Sequence, residues 1–278
     1  MKALHTIAKY LRIVWNVGIP LLFWHLFHIN GYAKHPEKTP SEKRYAYIRK
    51  VSTHLIRRLR LEPRWNNPDL ISHLDEPCLV VMNHQSMVDI LFLIAMSEKP
   101  ISFIGKKELE HAPFLGNDFR ALDGLFLDRS DPRQAIGVIK EMTRRLTEGH
   151  SSQVIYPEGT RNHEPFTKDI GEFHGGSLKP AYRAKCGILQ ITAFGTFRGL
   201  GAGYNDRSAL IQFDFVYHPY ESFASMSTQE LAKKLQDYAG EKVREFRAID
   251  IDFHEKKLHK KKGSKWWKVG TEPFHFPK

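Results

Sequence analysis

Cysteine is nearly absent: Cys78 and Cys186 are the two present in 278 residues. They stand far apart, with neither C-x-x-C nor zinc-finger spacing, so a disulfide framework and a structural zinc are excluded and a reduced compartment fits. No H-E-x-x-H and no carboxylate cluster at ligand spacing occurs, so no metal site is expected. No G-x-S-x-G elbow occurs either; Gly175-Gly176-Ser177 does not supply one. Internal repeats are lacking, and so is low complexity outside one lysine cluster near the carboxy terminus.

Long apolar runs are equally scarce. The mean hydropathy of −0.43 excludes a polytopic membrane protein. From Ile13 to Ile29 the chain is nearly apolar, but Asn16, Pro20, His25 and His28 interrupt it. The run is slightly short for a spanning helix, and no small-residue cleavage site follows, as a signal peptide would require. Tyr10, Trp15, Trp24 and Tyr32 are aromatics of the kind that sit at a headgroup boundary. The segment therefore reads as an interfacial or re-entrant helix, paired with the amphipathic stretch from Tyr45 to Leu61. A core helix of a soluble domain is the alternative.

What is present suits one folded domain. Apolar residues make 41% and charged residues 26% of the chain. That is enough for a sizeable core and too ordered a composition for wholesale disorder. The net charge of +11 favours anionic partners: nucleic acid, anionic lipid or phosphorylated small molecules. The tail combines Lys256, Lys257, Lys260, Lys261, Lys262, Lys265 and Lys268 with Trp266 and Trp267. Such a tail can track a nucleic-acid backbone or settle on an anionic bilayer; the apolar run at 13–29 favours the bilayer. The expected organisation is membrane-associating helices over 1–62, an α/β domain over 63–250 and a basic aromatic tail over 251–278.

Cys78 to Met82 is a short continuous apolar run, as in a strand buried on both faces. Further strands are predicted at 101–104, 125–127, 154–156, 188–193 and 210–216. Between them lie helical patterns. The clearest runs from Pro132 to about Glu148, with Asp131 as cap and Gly149 at its end. A late helix starts after Ser227, where Ser227 and Glu230 form a capping box, and is predicted to end near Phe246. Strands alternating with helices imply a largely parallel sheet flanked by helices.

The strand at 78–82 leads directly into Asn83-His84-Gln85-Ser86-Met87-Val88-Asp89. On one regular helix His84 and Asp89 would point about 140° apart. They meet only if His84 lies on the loop leaving the strand and Asp89 in the first turn of the next helix. Catalytic groups in open α/β sheets gather at such strand ends. A carboxylate on one ring nitrogen leaves the other free as a general base. A histidine–aspartate pair alone is more often structural, and Ser86 is expected to cap the helix.

Further blocks accompany the pair. Lys106-x-x-Leu109-x-x-x-Pro113-x-x-Gly116 closes with Gly124-Leu125-Phe126-Leu127-Asp128-Arg129. Tyr156-Pro157-Glu158-Gly159-Thr160-Arg161 follows, then Phe173-x-Gly175-Gly176 and Ile188-Leu189-Gln190-Ile191. In kind and order these blocks resemble those of the PlsC family of 1-acyl-glycerol-3-phosphate acyltransferases, whose first block is H-x4-D. The resemblance covers about the central 120 residues. It implies a glycerolipid acyltransferase-like α/β fold that acylates lysophosphatidic acid, with His84 as base and Asp89 orienting it. Lys106, Arg129 and Arg161 would bind the acceptor phosphate, with Gly159 and Thr160 shaping the turn. Glu158 would accept from a glycerol hydroxyl, or else pair with Arg161.

The resemblance also implies an acyl-CoA or acyl carrier protein co-substrate and no further cofactor. Its partners would be a lipid bilayer and no nucleic acid, and its place the cytoplasmic face of a membrane. Two positions depart from the family's pattern: Gln190 stands where proline is common, and His174 where a basic residue often lies. Glycerol-3-phosphate or another lysolipid remains an alternative acceptor. A basic nucleic-acid-binding protein is the alternative of another class.

Overall fold

The computed structural model describes Ile7, Leu11 and residues 14–59, 61–128, 130–200 and 209–259. Seven strands form one sheet: β1 (Leu61–Asn66), β2 (Leu79–Met82), β3 (Ile101–Lys106), β4 (Leu125–Leu127), β5 (Ser152–Ile155), β6 (Ile188–Phe194) and β7 (Ala209–His218). Their order is β1-β7-β6-β2-β5-β3-β4. Five strands, β6-β2-β5-β3-β4, run in one direction through parallel pairings. β7 reverses against β6, and β1 follows β7 in parallel. The largely parallel sheet expected from the strand–helix alternation is therefore present.

β2 has both neighbours and all four residues buried, which is why its sequence is a continuous apolar run. Its alternate residues serve two cores. Val80 and Met82 face a cluster with Trp65, Phe92, Phe213 and Phe215. Leu79 and Val81 face Val138, Met142, Leu231 and Leu235. Around the sheet lie α1 (Ser41–Leu59), α2 (Val88–Met96), α3 (Leu115–Ala121), α4 (Pro132–Thr147), α5 (Lys179–Ala184), α6 (Phe197–Leu200) and α7 (Thr228–His259). Asp131 caps α4 by accepting from Arg133 N–H and Gln134 N–H, as predicted. Ser227 and Glu230 form the predicted capping box on α7. Ser227 N–H donates to the Glu230 carboxylate at 2.7 Å, and Glu230 N–H to the Ser227 hydroxyl at 3.2 Å.

Several element bounds differ from those expected. β1 is not among the predicted strands, because Pro63 lies inside it; an edge strand can leave the position without an N–H facing outward. The boundary expected between residues 62 and 63 therefore falls within a strand, and the amphipathic helix ends at Leu59 rather than Leu61. Tyr156 lies just past β5 rather than within it. The last helix runs on to His259, because Asp250 and Phe253 still face inward, so the boundary at 250 falls mid-helix. Lys260 onwards, including Trp266 and Trp267, lies outside the described residues.

Residues 14–34 are helical, with π-helical turns at Val14–Gly18 and His25–Ile29 set among α-helical ones. The segment packs on α1 as expected: the rings of His28 and Tyr47 lie 4.5 Å apart, and Trp24 meets His54 edge-on at 5.1 Å. His25 does not interrupt the helix. It is fully buried, its Nε2 3.2 Å from Asp118 Oδ1. Ile29 and Ala33 join the main core, while Trp15, Leu22, Phe23, Leu26 and Phe27 face outward. Among the described residues no helix is long and apolar enough to cross a membrane.

Candidate active site

The five co-directional strands bring their carboxyl ends to one edge, where His84, Asp89, Lys106 and the turn from Tyr156 to Arg161 lie. His84 follows β2, Tyr156 to Arg161 follow β5, and Lys106 ends β3. Asp89 lies in the first turn of α2. His84 Nδ1 and Asp89 Oδ2 are 2.7 Å apart. The same oxygen accepts from Gln85 N–H at 2.8 Å and Ser86 N–H at 3.0 Å. It is therefore the acceptor, and Nδ1 carries the proton. In the neutral ring Nε2 is then the nitrogen left free to accept a proton. Asp89 is fully buried and His84 is 15% exposed. That combination fits a ring reached by substrate from one side only.

The loop holding the pair is tied down on every side. Asn83 donates to Ala193 C=O at 3.0 Å and accepts from Ala193 N–H at 2.7 Å. Gln85 Oε1 accepts from Gly195 N–H at 3.0 Å. Ser86 Oγ accepts from the N–H of Val88, the first residue of α2, and donates to Thr196 C=O. His84 N–H donates to Glu158 Oε1 at 2.7 Å, and His84 C=O accepts from Asn162 N–H at 2.8 Å. The rings of His84 and Tyr156 stack with centroids 4.0 Å apart and planes 21° from parallel.

Glu158 has partners that the sequence reading did not name. Its two carboxylate oxygens accept main-chain N–H groups, His84's at one and Gly171's at 2.7 Å at the other. It is buried and makes no ion pair with Arg161 among the described residues, so it joins two chain segments through their main-chain N–H groups. Burial raises its carboxyl above the usual range, and the two N–H groups pull it back. The turn itself explains Gly159: its N–H donates to Tyr156 C=O at 3.0 Å while φ is 69°, which glycine adopts without penalty.

Thr160 and Arg161 project outward from this turn, and neither side chain has a hydrogen-bond or ion-pair partner among the described residues. Lys106 is likewise exposed. With β5 between β3 and β2, it stands about two strand spacings, ~10 Å, from the strand carrying His84. Arg129 lies outside the described residues. Its neighbour Asp128 accepts from Ser130 and pairs with Lys107 at 3.2 Å; those contacts, Ser130 first, hold its carboxyl down at about 2.

The cysteines supply no nucleophile. Burial pushes the Cys78 thiol up to about 12 and the Cys186 thiol up to about 11, so neither is a thiolate near neutrality. Among the described residues no His, Cys, Asp or Glu cluster could hold a metal ion. The supporting roles of Asn83, Gln85 and Asn162 escaped the sequence reading. Their partners are main-chain groups of distant segments, which leave no mark on composition or spacing.

A carboxylate-oriented imidazole with exposed cations along the same edge is an arrangement suited to acid–base group transfer. The chain belongs to the acyltransferase family, whose model matches residues 23–193. It is 28% identical over 212 residues to a probable 1-acyl-sn-glycerol-3-phosphate acyltransferase of Mycoplasma pneumoniae, covering 74% of this chain and 77% of that one. It is 37% identical over 83 residues to the 1-acyl-sn-glycerol-3-phosphate acyltransferase of Helicobacter pylori, covering 30% and 35% of the two chains. The crystal structure of the 1-acyl-sn-glycerophosphate acyltransferase PlsC from Thermotoga maritima is similar at a TM-score of 0.63 and 21% identity. That match covers 88% of this chain and 98% of that one, and it establishes the fold.

Proposed function

We propose that this acyltransferase moves a fatty acyl group from a thioester to the sn-2 hydroxyl of 1-acyl-glycerol-3-phosphate, giving phosphatidic acid. The observation that carries this is the 2.7 Å contact between His84 Nδ1 and Asp89 Oδ2, which leaves Nε2 as base. The names of the relatives support the acceptor. Nε2 takes the proton of the acceptor hydroxyl as its oxygen attacks the thioester carbonyl. Asp89 stabilises the imidazolium that forms. Collapse of the tetrahedral intermediate breaks the C–S bond, and the leaving sulfur takes the proton from Nε2. Protons and acyl group balance without a cofactor. Coenzyme A or acyl carrier protein is the proposed carrier.

Arg161 and Lys106, exposed on the same edge, are the proposed ligands of the acceptor phosphate. A guanidinium offers two parallel donors to phosphate oxygens, and an ammonium offers a point charge. Arg129 joins them on the family resemblance.

We further propose that the protein works on a membrane surface, at the cytoplasmic face. Trp15, 71% exposed, and Phe27, 65% exposed, belong to an outward apolar stripe with Leu22, Phe23 and Leu26. Phe114, 39% exposed, extends it, packing edge-on against His25. A stripe of this kind suits the interfacial zone of a bilayer. Phe114 belongs to the segment following β3, so the stripe and the Lys106 edge are neighbours in the chain.

The test is an acceptor and donor panel run with the wild type beside His84→Ala. Lysophosphatidic acid with an acyl thioester should turn over in the wild type alone. Turnover of glycerol-3-phosphate without lysophosphatidic acid would overturn the acceptor, and an active His84→Ala would remove the base.

A further inference from the structure

The contacts of His84 leave one degree of freedom unaccounted for. Its N–H is bound by Glu158 and its C=O by Asn162, so its backbone is fixed at both polar groups. Nδ1 is directed by Asp89. One hydrogen bond at one ring nitrogen still allows the imidazole to tilt about the Nδ1–Oδ2 direction, and tilting swings Nε2 away from an acceptor hydroxyl. The face-to-face contact with Tyr156, at 4.0 Å and 21°, is what opposes that tilt.

Tyr156 is itself firmly placed. It leaves β5 beside β2, its C=O accepts Gly159 N–H in the turn, and its ring packs on the main core. Its hydroxyl oxygen is buried and has no hydrogen-bond partner among the described residues. A buried hydroxyl without a partner costs stability, and phenylalanine in the same place would avoid that cost. What the residue offers the site is therefore its ring.

We propose that Tyr156 is a positioning residue for acyl transfer: its ring holds the His84 imidazole plane so that Nε2 faces the acceptor hydroxyl. This rests on the general-base reading of His84. The π face also attracts the positive charge that His84 acquires as it takes the proton. Tyr156 is not a rival base. Burial, and then the negative charge of Asp89, push its phenol well above the ordinary tyrosine range.

The test compares Tyr156→Phe and Tyr156→Leu in the full chain, measuring kcat, acceptor KM and melting temperature. The His84 Cε1–H resonance is recorded in parallel, because a stacked ring shifts it upfield. Tyr156→Phe should keep kcat within about twofold, leave the resonance in place and melt no lower than the wild type. Tyr156→Leu should lower kcat roughly 10- to 100-fold with KM within about threefold, and move the resonance downfield. A Tyr156→Phe variant as impaired as Tyr156→Leu would show that the hydroxyl acts, and would overturn the proposal. So would a Tyr156→Leu variant with wild-type kcat, or one changed in KM alone.

Should Tyr156→Leu fail to fold, Tyr156→Met removes the ring while keeping bulk, and the same outcomes apply. A wild type inactive on every lysolipid would defeat the proposed function. The resonance would then decide the stack independently: unmoved in the aliphatic variant, it overturns the proposal.

Discussion

The main-chain N–H of His84 donates to Glu158 Oε1 at 2.7 Å, so the third sequence block grips the first through a backbone group. The other oxygen of Glu158 holds Gly171 N–H, which closes the loop carrying Arg161. One buried carboxylate thus ties down both the proposed base and the loop that bears Arg161, a proposed phosphate ligand.

Replacing Glu158 with alanine leaves two buried N–H groups unbound. Each unsatisfied donor costs about 1–3 kcal/mol, and a chain of this size loses a few degrees of melting temperature per kcal/mol. Calorimetry should therefore find Glu158→Ala less stable, and kinetics should find kcat reduced together with a weaker acceptor KM. Unchanged stability and KM would mean that neither the loop nor His84 depends on the carboxylate.

Asp89 Oδ2 accepts three donors, from His84, Gln85 and Ser86. An amide that keeps its oxygen on those donors buries its NH2 where Asp89 Oδ1 has no partner among the described residues, and it loses the negative charge that stabilises the imidazolium. Asp89→Asn should lower kcat roughly 10²- to 10⁴-fold with little change in acceptor KM. Steady-state kinetics check this, and a kcat within about tenfold of wild type would contradict the orienting role.

His218 provides a pH-dependent term in stability. Burial first, then the charge of Lys234, lowers it to about 4, and its Nε2 pairs with Gln190 Oε1 at 3.0 Å. Unfolded, it titrates near 6.5, so between about 4 and 6.5 the unfolded chain binds the extra proton and the folded chain does not. Stability is complete above 6.5 and is lost as the pH falls toward 4, by an amount on the order of 1–3 kcal/mol after allowing for its partial exposure. Melting curves of the wild type and His218→Gln over that window should show a shallower slope for the variant. Parallel slopes would count against it.

Sequence legibility followed the kind of interaction involved. The His84–Asp89 contact was readable because side-chain type, spacing and the preceding apolar strand all bear on it. The buried β2 and the caps at Asp131 and Ser227 were readable for the same reason: the residues that make them lie within a few positions of one another. β1 was hidden by Pro63, which argues against a strand unless the sheet edge is known. The bridging contacts of Glu158 were not legible because its partners are N–H groups, which every residue but proline carries. The extent of α7 was obscured because Asp250 looks like a surface residue; it is buried against Arg198, with Oδ2 2.6 Å from the guanidinium. Arg129 and the tail beyond His259 lie outside the described residues, and the expectations for them stand as made.

The position of β2 in the sheet has a consequence for the order of events in synthesis. Val80 pairs with Val154 on one side and with Leu189 on the other, so the strand leading to His84 finds its neighbours only after most of the chain has been made. Sheets assembled from such distant segments form slowly, because long loops must close first. Helices 14–34 and 41–59 can make their mutual contacts, such as His28 on Tyr47 and Trp24 on His54, before the later strands exist. The first two helices can therefore begin to pair during translation while His84 is still without the strands that will position it.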